Sequence, residues 1–381
     1  LPICFFKKMF KTALVAAAIA TSANALSAER LHTISFEEHV GMHGLQFLQG
    51  SDEWKMRESL FDAELKRVKS HNAAGKSWKE TINQFSHLNI KEKKALLGRS
   101  KTVHNEHVLT GTIPKRGKSD SDKRLHELPS SQDWRKHGIV TAVKDQGHCG
   151  SCWAFATTAT IESHVAKASG LLFDLSVQQM AMCAPNPDHC GGTGNCEGST
   201  AELGFDYVAK STGMVEEYMY GYGAYYGNVT ACDVPVGPPK AAIGGYVQLP
   251  TNELEPFQNA LANEGPVAIS VDASNWHAYD SGVFNGCDQK SPDIDHAVVA
   301  VGYGEDENGK YWIVRNSWSA SWGEAGYIRL KRESSQDGVV CGADSTPADG
   351  TACESDLSPQ DVCGTCGILF DTAYPTNAKA L

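Results

Sequence analysis

The chain has 381 residues, 41% of them hydrophobic, and a net charge of −11 from 34 basic and 45 acidic side chains. That length and apolar content suffice for more than one packed unit and exclude a disordered, collagenous or coiled-coil protein. The acidic balance argues against nucleic acid as a partner.

Residues 1–25 read as a leader and signal peptide. Met9 and Lys11 precede the apolar run Ala13 to Ala20, and Ala23-Asn24-Ala25 supplies a small-x-small cleavage site. The run is too short to span a bilayer, so no membrane span is expected. Twelve cysteines behind such a leader point to an oxidising compartment and a disulfide framework. With Cys4 in the leader the remainder is odd, which leaves one thiol outside any disulfide.

Charge is unevenly divided. From Leu128 onward 13 Lys and Arg stand against 31 Asp and Glu, a net of −18, leaving 21 and 14 before that point, a net of +7. A basic N-terminal portion on an acidic body suits a charge-matched intramolecular partner. A solvated basic face that binds nothing is the other reading.

Glu37 to about Leu97 reads as helical, with Arg57, Phe61, Glu64, Val68 and Asn72 recurring on one face. Residues 99–127 are charged, carry Pro114 and Gly117, and lack periodicity, as expected of an exposed, cleavable linker. The body begins near Leu128. Cys152 to Ala168 is predicted helical, and a Gly- and Cys-rich loop follows from Cys183 to Ser199. The second half is strand-like over Val267 to Val271, Ala297 to Tyr303, Tyr311 to Arg315 and Tyr327 to Leu330, with a hairpin signal at Asn308-Gly309. Helices first and strands second predict an α+β body in two halves with a cleft between them.

The run Gln146-Gly147-His148-Cys149-Gly150-Ser151-Cys152-Trp153 carries the most specific chemistry. Cys152 opens a helix, where unpaired N–H groups and the helix dipole favour the thiolate, the attacking form. A buried or disulfide-bonded cysteine is the alternative. Histidine can serve as cationic partner and proton donor near neutral pH, and His296 lies downstream at the start of a strand. Asn316 is placed to orient the imidazole and Trp318 to shield that bond. Gln146 can donate to a developing oxyanion beside the Cys152 N–H.

With these residues in view, the body from Leu128 resembles the papain family of cysteine peptidases. Four motifs carry the resemblance in order: QGHCGSCW, DHAVVAVGYG, NSWSASWGEAGYIRL and CGILFDTAYP. It implies a two-lobed body, helical first and antiparallel β-barrel-like second, over residues 128–381. It also implies Cys152 as nucleophile, His296 as base, Asn316 as orienting group and Gln146 as oxyanion donor, with no cofactor or metal. Ser319 replaces a usual glycine, and Glu197-Gly198-Ser199-Thr200 replaces a usual glycine pair. Residues 26–127 resemble the cathepsin L-like propeptides through Glu53, Arg57, Phe61 and Asn72, with Glu64 and Val68 as departures. The companion motif, Thr81-x-Asn83-x-Phe85-x-His87, lacks its usual Gly and Asp. In the family this segment fills the cleft in reverse and is removed on activation.

The resemblance further implies disulfides Cys149–Cys196, Cys183–Cys232 and Cys287–Cys366. An insertion over about 333–365 departs from the pattern: it adds Cys341, Cys353 and Cys363, Cys341-Gly342 is a second candidate for the terminal CGI position, and with Cys190 the four remaining cysteines allow three connectivities. Zinc at Cys363-x-x-Cys366 is the lesser reading for a secretory chain. Asn228-Val229-Thr230 is a glycosylation sequon. The second-subsite pocket is expected from Gly198, Ser199, Thr200, Ala201, Ser270, Ile294 and Ala297, with Asp371 at its floor. The expected product is a monomeric endopeptidase of peptides and proteins, held by its own propeptide on the secretory route to a lysosome, vacuole or the exterior. An exopeptidase is the competing enzyme, with the insertion as the only candidate block. A catalytically dead binder is the competing non-enzyme, against four intact catalytic positions.

Overall fold

The computed structural model describes residues 28–98, 128–355 and 358–381. The expected signal peptide and linker lie outside these residues.

The N-terminal segment holds α1 (Ala28–Thr33), α2 (Phe36–Met42), α3 (Asp52–Ala73), β1 (Trp78–Glu80) and α4 (Ile90–Ala95). Ser35 and Asn89 close reciprocal capping boxes with Glu38 and Glu92, which fixes where α2 and α4 begin. The face predicted along α3 points inward: Phe61 and Val68 are fully buried in a small core with Leu31, Phe36 and Trp54. Asn72 on the same face clamps the next strand, its amide donating to Glu80 O at 2.8 Å and accepting from Glu80 N–H at 2.9 Å. The expectation of helix from Glu37 to Leu97 is therefore corrected over residues 43–51, between α2 and α3, and over residues 74–89. Gly75 takes φ +69° just after the α3 C-cap, and the chain turns into β1.

The helical half of the body comprises β2 (Gln132–Asp133), α5 (Cys152–Ser169), α6 (Val177–Cys183) and α7 (Ala201–Lys210). Strands dominate thereafter: β3 (Ala241–Ala242), β4 (Gly245–Gln248), α8 (Leu254–Asn263), β5 (Val267–Val271), β6 (Tyr279–Phe284), β7 (His296–Asp306), β8 (Gly309–Arg315) and β9 (Tyr327–Lys331). The chain closes with β10 (Cys341–Asp344), β11 (Gln360–Cys363), β12 (Asp371–Thr376) and β13 (Lys379–Ala380). The main sheet runs β1-β6-β9-β8-β7-β5-β12-β4, with β2 added on β7. Among the described residues it stays open and does not close into the expected barrel, and β6 and β9 pair in parallel. A hairpin does form there, but one residue earlier than expected: Glu307 and Asn308 make the turn between β7 and β8, and Gly309 opens β8 opposite Asp306.

Two main cores lie side by side. One surrounds α5, whose buried residues include Trp153, Ile161 and Val165. The other lies within the strands around Trp276, Trp312 and Trp322, and it takes in Trp78, Phe85, Leu96 and Leu97 from the N-terminal segment. The segment thus docks through apolar side chains and through the β1–β6 ladder. The ion pairs of Arg57, Arg67 and Lys93 close within the segment itself, on Glu53, Glu64, Glu80 and Glu92. Those three basic residues spend their charge on holding the segment's own helices and strand together.

Candidate active site

Cys152 is the first residue of α5, whose N-cap Ser151 makes no side-chain cap bond. The helix therefore turns uncapped N–H groups and its positive dipole end toward the sulfur. Cys152 is 1% exposed and lies outside the disulfides. The backbone N–H of Ala297, at the start of β7, donates to its Sγ at 3.4 Å. A donor aimed at sulfur favours the thiolate over the thiol.

His296 begins β7 and is fully buried. Its Nε2 lies 2.8 Å from Asn316 Oδ1, which also accepts from the Ser317 N–H at 2.8 Å. An amide oxygen only accepts, so Nε2 carries a ring proton. Trp318 covers this bond, with ring centroids 4.9 Å from His296.

Gln146 is fully buried, and its orientation is set by the Ser317 hydroxyl, which donates to Oε1 at 2.6 Å. Its Nε2 donates to Leu96 O at 2.9 Å and to Cys149 O at 3.0 Å. The sequence reading missed Ser317 as the group that aims this amide. Its position next to Asn316 was the available signal.

The N-terminal segment lies across these groups. Phe85 packs edge-on against Trp318, and Gln84 donates to Trp318 O at 3.1 Å. Farther along, the Cys152 Sγ donates to Leu97 O at 3.4 Å. Gly98 follows with φ +82°, and a Cβ there would lie 2.5 Å from the Cys152 Sγ.

The residues expected to line the second subsite fall into two groups. Gly198, Ser199, Thr200 and Ala201 lead into α7, where the Thr200 hydroxyl caps the helix, and all four are buried. Ser270, Ile294, Ala297 and Asp371 come from the strand half and are also buried. Asp371 does not point to solvent. It accepts from Ser270 Oγ at 2.6 Å and from Gln248 Nε2 at 3.5 Å. Glu202, the second residue of α7 and missed from the sequence, meets it from the other half. Burial first, and then the Asp371 carboxylate, push the Glu202 carboxyl well above its ordinary range.

The structure contains Cys149–Cys196, Cys183–Cys232 and Cys287–Cys366, the pairs that the resemblance implies. The remaining four cysteines form Cys190–Cys353 and Cys341–Cys363, so the Cys363-x-x-Cys366 pair is used in disulfides and not as a zinc site. Asn228 is exposed in the loop after α7, where its sequon partner Thr230 accepts from Gln178 Nε2 at 3.2 Å.

Residues 128–350 match the family described as papain family cysteine protease. A KDEL-tailed cysteine endopeptidase of Arabidopsis thaliana is 36% identical over 297 residues, 76% of this chain and 78% of its own length. Cathepsin L1 of Drosophila melanogaster is 32% identical over 343 residues, 88% of this chain and 89% of its own. Among solved structures, recombinant stem bromelain precursor superposes with a TM-score of 0.70 at 34% identity, covering 90% of this chain and 97% of that one. A digestive procathepsin L from Tenebrio molitor larval midgut gives a TM-score of 0.68 at 28% identity, covering 90% and 99%. Relatives and proenzymes alike extend over the body and the N-terminal segment, and the chain belongs to the papain family of cysteine proteases, as the precursor of a thiol endopeptidase.

Proposed function

We propose that Cys152 is the nucleophile of this protease, acting as a thiolate against the carbonyl carbon of a peptide bond. His296 carries the proton between Cys152 and the leaving amine, and Asn316 keeps the imidazole in the working tautomer. Gln146 Nε2, beside the Cys152 N–H, stabilises the oxyanion. The amine leaves with its proton, and water hydrolyses the resulting thioester. The observation that supports this most directly is the Gln146 amide donating to a carbonyl oxygen of the chain that crosses Cys152. In this reading Leu96 O occupies the place of a substrate oxygen.

Residues 26–127 act as the inhibitory propeptide of the body at 128–381, after a leader over 1–25. The segment resists attack because it offers Cys152 an oxygen, Leu97 O, and not a carbonyl carbon. The proenzyme travels the secretory route as a monomer, and Asn228 is its glycosylation site. The names of the relatives, a KDEL-tailed endopeptidase and cathepsins, agree with that route.

Incubating the acid-processed protein with a thiol-directed epoxide tests the site. The expected result is a mass shift on Cys152, with Cys152→Ala folded and inactive. Asn316→Ala should be milder, losing about 10- to 100-fold in kcat/KM, because orientation is only part of the base's effect. A Cys152→Ala protein that keeps more than a few per cent of the rate would refute the assignment.

A further inference from the structure

The insertion before the last motif has no role in the chemistry above, yet it joins the two halves of the body across the cleft. It leaves the strand half after β9 and returns through β11 to Cys366. Its stalk is the β10–β11 ladder, in which Cys341 lies opposite Cys363 and is bonded to it. Asp344, fully buried at the end of this stalk, accepts from the Ile294 N–H at 3.2 Å and the Thr346 N–H at 2.7 Å. The stalk is thereby fixed two residues before His296.

Beyond the stalk the chain crosses to the helical half. The Gly191 N–H donates to Ala352 O at 3.0 Å, His189 Nδ1 lies 3.0 Å from a Glu354 carboxylate oxygen, and Cys353 is bonded to Cys190. Gly350 is the point where both halves meet the insertion. A Cβ on Gly350 would lie 2.9 Å from Ile294 O, and a Cβ on Gly191 would lie 2.9 Å from Gly350 O and 3.0 Å from Ser199 O. Gly191 also backs onto Gly198, whose other neighbour is Gly98 of the segment over Cys152. Passing outward from Cys152, the order is therefore Gly98 with Gly198, then Gly191, then Gly350 with Ile294.

We infer that Gly350 to Cys353 form a covalent end wall to the cleft beyond its second subsite, so that the enzyme gains nothing from substrate residues farther upstream of the scissile bond. This rests on Cys152 as the nucleophile and adds a limit on substrate length. An ordinary open cleft would use such residues for binding, and kcat/KM would rise with peptide length. Here the wall meets backbone at Ile294 and Gly191 and is tied by the Cys190–Cys353 disulfide, so it cannot yield as a flexible side chain would.

The test compares two fluorogenic peptides on the processed enzyme, identical at the two residues before the cut, one capped there and the other extended by two more. The expected wild-type ratio of kcat/KM, long over short, is about one or below. Opening the tie with Cys190→Ser/Cys353→Ser should raise that ratio at least about tenfold, with the short substrate cleaved at close to the wild-type rate. A wild-type ratio of about ten or more overturns the proposal. A double variant that keeps the wild-type ratio overturns it too, leaving a structural staple. If the double variant does not fold, the wild-type ratio decides alone. Epoxide labelling separates the two layers: absent labelling of Cys152 with both peptides uncut refutes the protease site, whereas normal labelling with a length-driven gain refutes only the wall.

Discussion

Replacing the buried histidine pair of the propeptide should uncouple its release from pH. His39 Nε2 lies 3.0 Å from His87 Nδ1, with both rings buried among Phe36, Phe47 and Phe61. Burial, with His43 as a like-charged neighbour, pushes His39 down from 6.5 to about 3. Burial and the Arg57 guanidinium push His87 down to about 4. A histidine lowered by folding contributes stability that is complete above its unfolded pKa of 6.5. That stability is lost as pH falls, since the unfolded state takes the proton first. At pH 5 one such group has lost about 2 kcal/mol, roughly thirtyfold in the folding equilibrium of the segment. His87, lowered by the same burial, adds a loss of similar size, so the pair accounts for up to about 4 kcal/mol. His277, held to about 3 by burial beneath α4 and by Lys93, adds in the same direction. The assay is trypsin sensitivity of the segment in full-length Cys152→Ala, which cannot process itself, between pH 7 and 4. His39→Leu/His87→Leu should move the onset of digestion down by about one pH unit or more and leave it unchanged at pH 7. Identical onsets in the two proteins would refute the argument and return the pH response to carboxylates.

Two further outcomes follow from the cleft. Gly98→Val should let the proenzyme leak activity before processing, because a side chain there would collide with the Cys152 Sγ and Gly150 O; a silent proenzyme of unchanged stability would count against tight inhibition at this residue. Peptides with Arg two residues before the scissile nitrogen should be cleaved at rates comparable to Leu peptides, and Asp371→Ala should cost Arg cleavage about 10- to 100-fold while sparing Leu. Glu202→Gln, which keeps the side chain's shape, should leave Arg cleavage in place if Asp371 is the group that pairs with Arg, and equal losses on both peptides after Asp371→Ala would show that Asp371 does not face the substrate.

What the sequence revealed and what it hid divide by the range of the interaction. Cys152, His296, Asn316 and Gln146 each sit in a local run whose chemistry is written within a few residues, and the face of α3 follows from helical spacing alone. The strand at Trp78–Glu80 was read as helix because nothing local distinguishes it. It forms by pairing with β6, about 200 residues away, and by the Asn72 clamp. Net charge counts the segment's basic groups but does not say where they go: Arg57 and Arg67 pair with Glu92 and Glu80 of the segment itself. The same distance hid the insertion's role. Counting cysteines left three pairings open, and only the fold brings Cys353 to Cys190 across 163 residues. Gly191 and Gly350 have no motif at all, yet the absence of a Cβ at each lets two backbones meet. Catalytic residues are legible because reaction chemistry dictates their type. The shape of the cleft is set by which distant backbones touch, and those contacts leave no local mark in the sequence.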